Sequence, residues 1–333
     1  MQLESVCSIP VEEFLLTRVA FRPDGHHIVV GHRDLTLYEV LSGKAVRSFP
    51  FEGFLGCARF SSDGRYLVAA NENDNHPHTT GLAKVFEVDS GDTLLEIRTR
   101  FPIRAACFLE SPQGTIFLYR DTEANHGGAS PFHRNRVRGC RLDSSQPVFD
   151  LEFPAWEIRD MAAGSAFALF GLDSVGKVHD IEGASLTIRQ FKVGAYSYPA
   201  GARLRILGLG IGAGISAFSP DGRLLALELV DFRANRRQLS LLNVDTGVGT
   251  NLLLLPSDVM PALAFSENGR HFLCLCEEPE TSSAALRLWD TASLRQAAET
   301  HVGMQYHAIA LNWPTRRIAA LGGGKCDIAV ILN

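Results

Sequence analysis

Short apolar runs broken by polar turns recur along almost the whole chain. "VAFRPDGHHIVV" from Val19, "ARFSSDGRYLVAA" from Ala58, "SAFSPDGRLLAL" from Ser216 and "LAFSENGRHFLCL" from Leu263 share one arrangement: an apolar run ending in Phe, a polar turn, and a second alternating apolar run. Alternation with period two marks a half-buried strand, so each copy predicts a β-hairpin. Pro23 and Pro220 suit the first corner of a type I turn, and Gly25, Gly64, Gly222 and Gly269 fall where the chain needs positive φ to pair back. The Asp-Gly pairs are therefore read as structural. "CFLESPQGTIFLY" from Cys107 and "IALNWPTRRIAAL" from Ile309 are looser copies.

A second pattern follows each hairpin. In "LTLYEVLSGKAV", "AKVFEVDSGDTL", "GKVHDIEGASL", "LSLLNVDTGVG" and "LRLWDTASLRQ" a strand of β-branched and aromatic residues enters a tight turn, after which a fourth strand begins. Each repeat thus predicts four antiparallel strands. The turn positions Asp24, Asp63, Gln113, Asp221, Asn268 and Thr315 are 39, 50, 108, 47 and 47 residues apart, and the long gap holds a degenerate repeat turning near residue 164. That makes seven repeats in one domain spanning 1–333. The last repeat stops after its third strand while Gln2 to Ile9 is an unassigned strand, so the N-terminal strand is expected to complete the last repeat and remove an open edge. Tyr196 to Gly214, rich in glycine, reads as a non-repeat excursion between the fourth and fifth repeats or, alternatively, as an extra strand.

These motifs resemble the bacterial WD-repeat and YVTN-type β-propellers, most closely in "FSPDGR", Phe218 to Arg223, and "LRLWD", Leu286 to Asp290. The resemblance implies an all-β fold, a seven-bladed β-propeller of four-stranded antiparallel blades whose ring is closed by the N-terminal strand. The chain has one Trp-Asp pair, Trp289-Asp290; the corresponding pairs elsewhere are Tyr38-Glu39, Phe86-Glu87, His179-Asp180 and Leu242-Asn243. In such propellers the loops joining strands two and three share a face with the connections between blades, and that face is the usual contact surface.

Four segments expected on that face are long: "NENDNHPHTTG" from Asn71, "RDTEANHGGASPFHRNR" from Arg120, "VDFRANRRQ" from Val230 and "EEPETSSAA" from Glu277. Asp74, His76, His78, His126 and His133, with Asp121 and Glu123, are of metal-ligating type but lack a ligand motif, and no metal or cofactor is assigned. Arg134, Arg136, Arg138, Arg233, Arg236 and Arg237 would form a basic arc suited to an acidic partner surface. Phe132 and Phe232, within the same segments, read either as contact anchors or as side chains tucked onto their own repeat.

Composition narrows the classes. A formal charge of −5 and the absence of interleaved aromatic platforms disfavour nucleic acid as a partner. No apolar run reaches the roughly 18 residues of a membrane span, and the N-terminus has no basic start with an apolar core, so a cytoplasmic setting is expected. The seven cysteines form no C-x-x-C pair, which suits reduced packed thiols. Arginine far outnumbers lysine, as in GC-rich bacterial genomes. Gly171 to Val178, "GLDSVGKV", has phosphate-loop spacing but ends in Val178 where Mg²⁺ needs a hydroxyl, and it reads as the turn between two strands. No catalytic motif is found. The functional expectation is a non-catalytic protein-protein interaction scaffold, a monomeric propeller within a bacterial hetero-complex; the alternative is a small-molecule enzyme with an axial pocket, such as a sugar lactonase.

Overall fold

The structure is a computed structural model. It describes residues 2–12, 17–71, 80–100, 103, 105–111, 114–123, 134–143, 147–153, 156–163, 166–179, 185–197, 203–210, 213–231, 236–255, 262–266, 268–278, 283–302, 306 and 308–332. These residues contain only strands as regular elements, arranged in seven four-stranded antiparallel sheets.

β1 (Gln2–Pro10) stands apart from its sequence neighbours. The first sheet is β2 (Arg18–Phe21), β3 (His27–Gly31), β4 (Leu35–Glu39) and β5 (Ala45–Phe49). The second is β6 (Leu55–Phe60), β7 (Tyr66–Asn71), β8 (Gly81–Glu87) and β9 (Thr93–Thr99), and the third is β10 (Ala106–Ser111), β11 (Gly114–Glu123), β12 (Arg134–Arg141) and β13 (Pro147–Phe153). The fourth is β14 (Trp156–Ala163), β15 (Ala166–His179), β16 (Ser185–Ser197) and β17 (Arg203–Gly210); the fifth is β18 (Ala213–Phe218), β19 (Leu224–Asp231), β20 (Arg236–Asn243) and β21 (Gly249–Leu255). β22 (Ala262–Phe265), β23 (His271–Glu278), β24 (Ser283–Asp290) and β25 (Arg295–Val302) make the sixth. The seventh joins β26 (Ala308–Asn312), β27 (Arg317–Gly322) and β28 (Lys325–Leu332) to β1, which runs antiparallel to β28 from Gln2 opposite Leu332 to Pro10 opposite Lys325.

The core lies in the gaps between consecutive sheets. Val29, Leu37 and Phe49 of the first sheet pack with Leu67, Leu82 and Phe86 of the second, and the Phe49 and Phe86 rings meet at 5.2 Å. Burying a ring of this kind contributes about 1.5–3 kcal/mol. Phe117 and Cys140 meet Val68 and Val85 in the next gap, and Phe272 meets Leu239 between the fifth and sixth sheets. Strands with sheets on both sides are apolar on both faces, which is why β8, "GLAKVFE", reads as a nearly continuous apolar run. Phe21, Ile28 and Val30 of the first sheet share a cluster with Ile9, Ala319 and Ile328 of the seventh. Along the inner strands, β2 contacts β6, β6 contacts β10, and the succession runs through β14, β18 and β22 to β26, which contacts β2.

The repeated turn has a side-chain reason. Ser61, Ser219 and Ser266 are buried, and each hydroxyl bonds the turn Asp63, Asp221 or Asn268 (2.6, 2.6 and 2.8 Å) while accepting a backbone N–H five residues on (2.9, 2.9 and 3.0 Å). The first and seventh sheets are joined at the same turn. Asn312 donates to the Arg22 and Pro23 carbonyls (3.3 and 3.2 Å), and Arg317 Nη1 donates to the Gly25 carbonyl at 2.5 Å. A Cβ on Gly25, at φ 68°, would fall 2.5 Å from Thr315 Cγ2, so this turn needs glycine for space as well as for conformation.

Three expectations are corrected. Gly171 to Val178 is not a turn: it lies inside β15, which continues to His179, and β16 supplies the third strand. A register irregularity between Ser174 and Gly176 absorbs the polar stretch, as a bulge does. Tyr196 to Gly214 is not an excursion either, since β17 and β18 are the outer strand of the fourth sheet and the inner strand of the fifth. Gly208 and Gly210 face Lys192 and Phe191 across a register shift, where glycine is tolerated in a strand. Arg134, Arg136, Arg236 and Arg237 lie in strands rather than loops, with Glu123 opposite Arg134, Asp121 opposite Arg136 and Asp231 opposite Arg236 in the strand register, and Arg138 follows in the same strand as Arg136.

Candidate interaction surface

In each sheet the antiparallel order puts the strand-two to strand-three connection and the connection to the next sheet at one end, opposite the other two turns. Of the residues singled out for that end, Asp74, His76, His78, His126, Phe132, His133, Phe232 and Arg233 lie outside the described residues. Arg134 pairs opposite Glu123, Arg236 opposite Asp231 and Arg237 opposite Val230.

Arg136 and Arg138 are described in full, and they are occupied. Arg136 forks onto Asp150 at 2.7 and 2.8 Å, with Glu152 at 3.9 Å. Arg138 meets the buried Asp121 at 2.5 Å and Asp150 at 3.3 Å. Burial works against the charge on Arg138, but the two carboxylates outweigh it and raise its pKa above the ordinary arginine value. The two arginines and three carboxylates form a ladder, with Arg136 opposite Glu152 and Arg138 opposite Asp150. Asp121 belongs to the second strand and was within the segment singled out, but Asp150 and Glu152 come from the fourth strand of the sheet, so attention to the loop alone missed them.

A group the sequence reading passed over sits at the same end of the first sheet. The three-residue turn "HRD" after Gly31 joins β3 to β4, and Phe54 precedes β6. Arg33 Cζ lies 4.8 Å above the Phe54 ring, and the His32 and Phe54 rings are 5.5 Å apart. The Asp34 carboxylate accepts the Phe51 N–H at 2.8 Å, and the His32 carbonyl accepts the Leu55 N–H at 2.8 Å, so the turn and the inter-sheet connection hold each other. Burial, then the neighbouring Arg33, lowers the His32 pKa and favours the neutral ring. The result is an exposed guanidinium on a fixed aromatic platform. In the same inter-sheet connection as Phe54, Glu52 meets Arg98 at 3.2 Å, and Arg98 also holds Glu96 at 2.7 Å.

The neck of the 72–79 connection is held by Asn71, which is 2% exposed. Its amide donates to the Thr80 carbonyl at 2.7 Å, and its oxygen accepts the N–H groups of Leu82 at 2.9 Å and Ile103 at 3.2 Å. Asn71 therefore ties both sides of the connection to the start of the third sheet.

The other chemistry weighed in the sequence resolves into packing. Cys57, Cys107, Cys140, Cys274, Cys276 and Cys326 are buried free thiols, and Cys7 is half-buried. Cys274 and Cys276 sulfurs lie 3.0 Å apart; that contact and then burial push the Cys274 pKa well above the usual thiol value, the opposite of a reactive cysteine. Trp289 is buried with no hydrogen-bond partner for its indole N–H among the described residues, while Asp290 caps its own turn through Ser293 N and Oγ, both at 2.7 Å. Among the described residues no group of three or more His, Cys, Asp or Glu is placed to hold a metal ion.

No protein-family model and no curated protein matches the chain. Solved structures do. The chain is similar to the β-propeller domain of Cps50 (Swd1) from Myceliophteria thermophila, with a TM-score of 0.67 at 12% identity over 99% of this chain and 100% of that one. It is similar to a chain of Kuenenia stuttgartiensis hydrazine synthase, with a TM-score of 0.65 at 12% identity over 93% and 94%. A chain of a mitotic checkpoint complex gives 0.64 at 11% over 99% and 92%. At such identities the likeness defines the fold: the class of protein is a β-propeller.

Proposed function

We propose that the seven sheets are the blades of one closed propeller of bacterial WD-repeat type, and that it serves in the cytoplasm as a non-catalytic platform for a protein partner within a multiprotein assembly. The cyclic succession of inner-strand contacts, the seating of β1 on β28 and the Asn312 and Arg317 bonds to the first sheet support the closed ring. The observation that carries the platform reading is the Arg33 guanidinium held over Phe54 on the face from which the 72–79 and 124–133 connections emerge. A cation and an aromatic held in place by backbone bonds need little ordering on association, and they suit an acidic partner surface. The Swd1 propeller and the chain of the mitotic checkpoint complex are likenesses of fold that accord with this use.

The test is affinity capture with the tagged full-length chain from its native cells. Two variants accompany it: R33E/F54A, and one with 72–79 and 124–133 replaced by short Gly-Ser turns that spare Asn71, Thr80 and Asp121. A stoichiometric protein held by wild type and lost from both variants, each with an unchanged melting temperature, supports the reading. Equal capture by all three removes this face from it. Capture of nothing by any form overturns the platform, and lactone hydrolysis then tests the axial-pocket enzyme.

A further inference from the structure

At the opposite end of the sheets, the second and third enclose a shallow pocket of about 170 Å³. Arg65 and Tyr66, just past the turn of the second sheet, form one wall; Arg141, Leu142 and Asp143, entering the last turn of the third, form the other. Gly114 lies on the floor, where a Cβ would meet nothing within 4 Å, so the space above its backbone is open.

The charges are unequally committed. Asp143 is gripped by Arg141 through both oxygens, at 3.0 and 2.6 Å, and the two cancel. Arg65 is different: its side chain is 60% exposed, its guanidinium makes no hydrogen bond among the described residues, and the nearest carboxylate, on Glu87, is 3.9 Å away and accepts the Ser90 hydroxyl at 2.9 Å. The guanidinium lies 5.2 Å from the centre of the Tyr66 ring, which orients it along the pocket wall. Across from it Leu142 is buried and apolar. The site therefore offers one planar cation whose ion pair, with Glu87 at 3.9 Å, is long, beside the Tyr66 ring and Leu142, in a small pocket open to solvent.

We propose that this pocket binds a small carboxylate-bearing group, its oxygens on the Arg65 guanidinium and its methylenes between Tyr66 and Leu142. An arginine fork matches a carboxylate in geometry. A single charge balances Arg65, whereas a dianion such as phosphate brings a second charge near Asp143. The carboxylate has two sources, a free short-chain acid or a glutamate side chain of a polypeptide. The site is remote from the Arg33 and Phe54 face and does not depend on its use.

The repeat supplies a control. Arg223 follows the turn of the fifth sheet as Arg65 follows that of the second, and it sits at 3.6 Å from Asp245 with a similar exposure. Butyrate, N-acetylglutamate α-amide and inorganic phosphate are titrated into the full-length protein while the amide resonances of Gly114 and Leu142 are followed. Saturable shifts are expected with a Kd of about 1–10 mM. R65Q weakens binding at least tenfold, R65K weakens it less, and R223Q leaves it unchanged. Butyrate binding as tightly as the glutamate amide identifies a free acid, and a several-fold preference for the amide identifies a side chain. The proposal is overturned if neither carboxylate saturates, if phosphate binds as tightly, or if R223Q weakens binding as much as R65Q.

Discussion

Replacing Asn71 with leucine keeps the branching and the number of heavy atoms of the side chain and removes its three hydrogen bonds. The Leu82 and Ile103 amides, which now point at the Asn71 oxygen, belong to residues 2% and 0% exposed, so water has poor access to them. Each buried N–H left without an acceptor costs about 1–3 kcal/mol, whereas the Thr80 carbonyl, on an exposed residue, recovers most of its bond from solvent. The expected destabilisation is about 3–4 kcal/mol, at the upper end of single-site effects and without any cavity. Urea unfolding with unchanged m reads the sum, and amide exchange reads its location, with Leu82 and Ile103 losing protection ahead of the inner strands of distant sheets. N251A is the comparison: Asn251 accepts the Ser240 hydroxyl at 3.0 Å but is exposed, and its loss is expected within about 0.5 kcal/mol of wild type. A loss below about 1 kcal/mol for N71L with both amides still protected would falsify the bracket role.

Leu294 holds φ 56° at the position where the first, second and fifth sheets use Gly43, Gly91 and Gly247; L294G should raise stability by about 0.5–1 kcal/mol in thermal melts, because the left-handed strain exceeds the entropy cost of glycine, and a lower melting temperature would contradict this. Tyr306 donates to Asp327 at 2.9 Å, and burial followed by that bond pushes its pKa from 10.0 up to about 12. A raised folded-state value contributes stability that is complete below pH 10 and lost as pH climbs through about 12, so Y306F should flatten the alkaline decline of stability in that window. An identical slope in Y306F refutes the assignment. Deletion of residues 2–9 strips Val6, Cys7 and Ile9 from the cluster they share with Phe21, Ile28 and Ile328, and should lower the urea midpoint sharply, with recovery on adding the peptide 1–12; a midpoint equal to wild type would show that β1 adds nothing.

The strands were legible in the sequence wherever local chemistry alone specifies them. The Ser-x-Asp/Asn-Gly turns at 61, 219 and 266 carry their own hydrogen bonds within six residues, so the motif and the structure are nearly the same statement. The pairing of Gln2–Pro10 with β28 was readable because the last repeat lacked a fourth strand. The fourth sheet was misjudged where glycine and polar residues broke the alternation. Gly176 and Gly208 mark register shifts inside long strands, which a neighbouring strand stabilises and which no local pattern separates from a turn.

Periodicity by itself determined that this chain is a repetitive β protein built of four-stranded antiparallel units, since burial on alternate faces and glycine at positive φ are properties of short segments. Only the tertiary structure decided which charges remain available. Arg136 and Arg65 are alike as letters, but a facing strand presents Asp150 to one and an open pocket to the other. Cross-strand and cross-sheet partners are set by register and by the packing of one sheet on the next, quantities that couple residues tens to hundreds of positions apart and leave no mark in the order of the amino acids around each one.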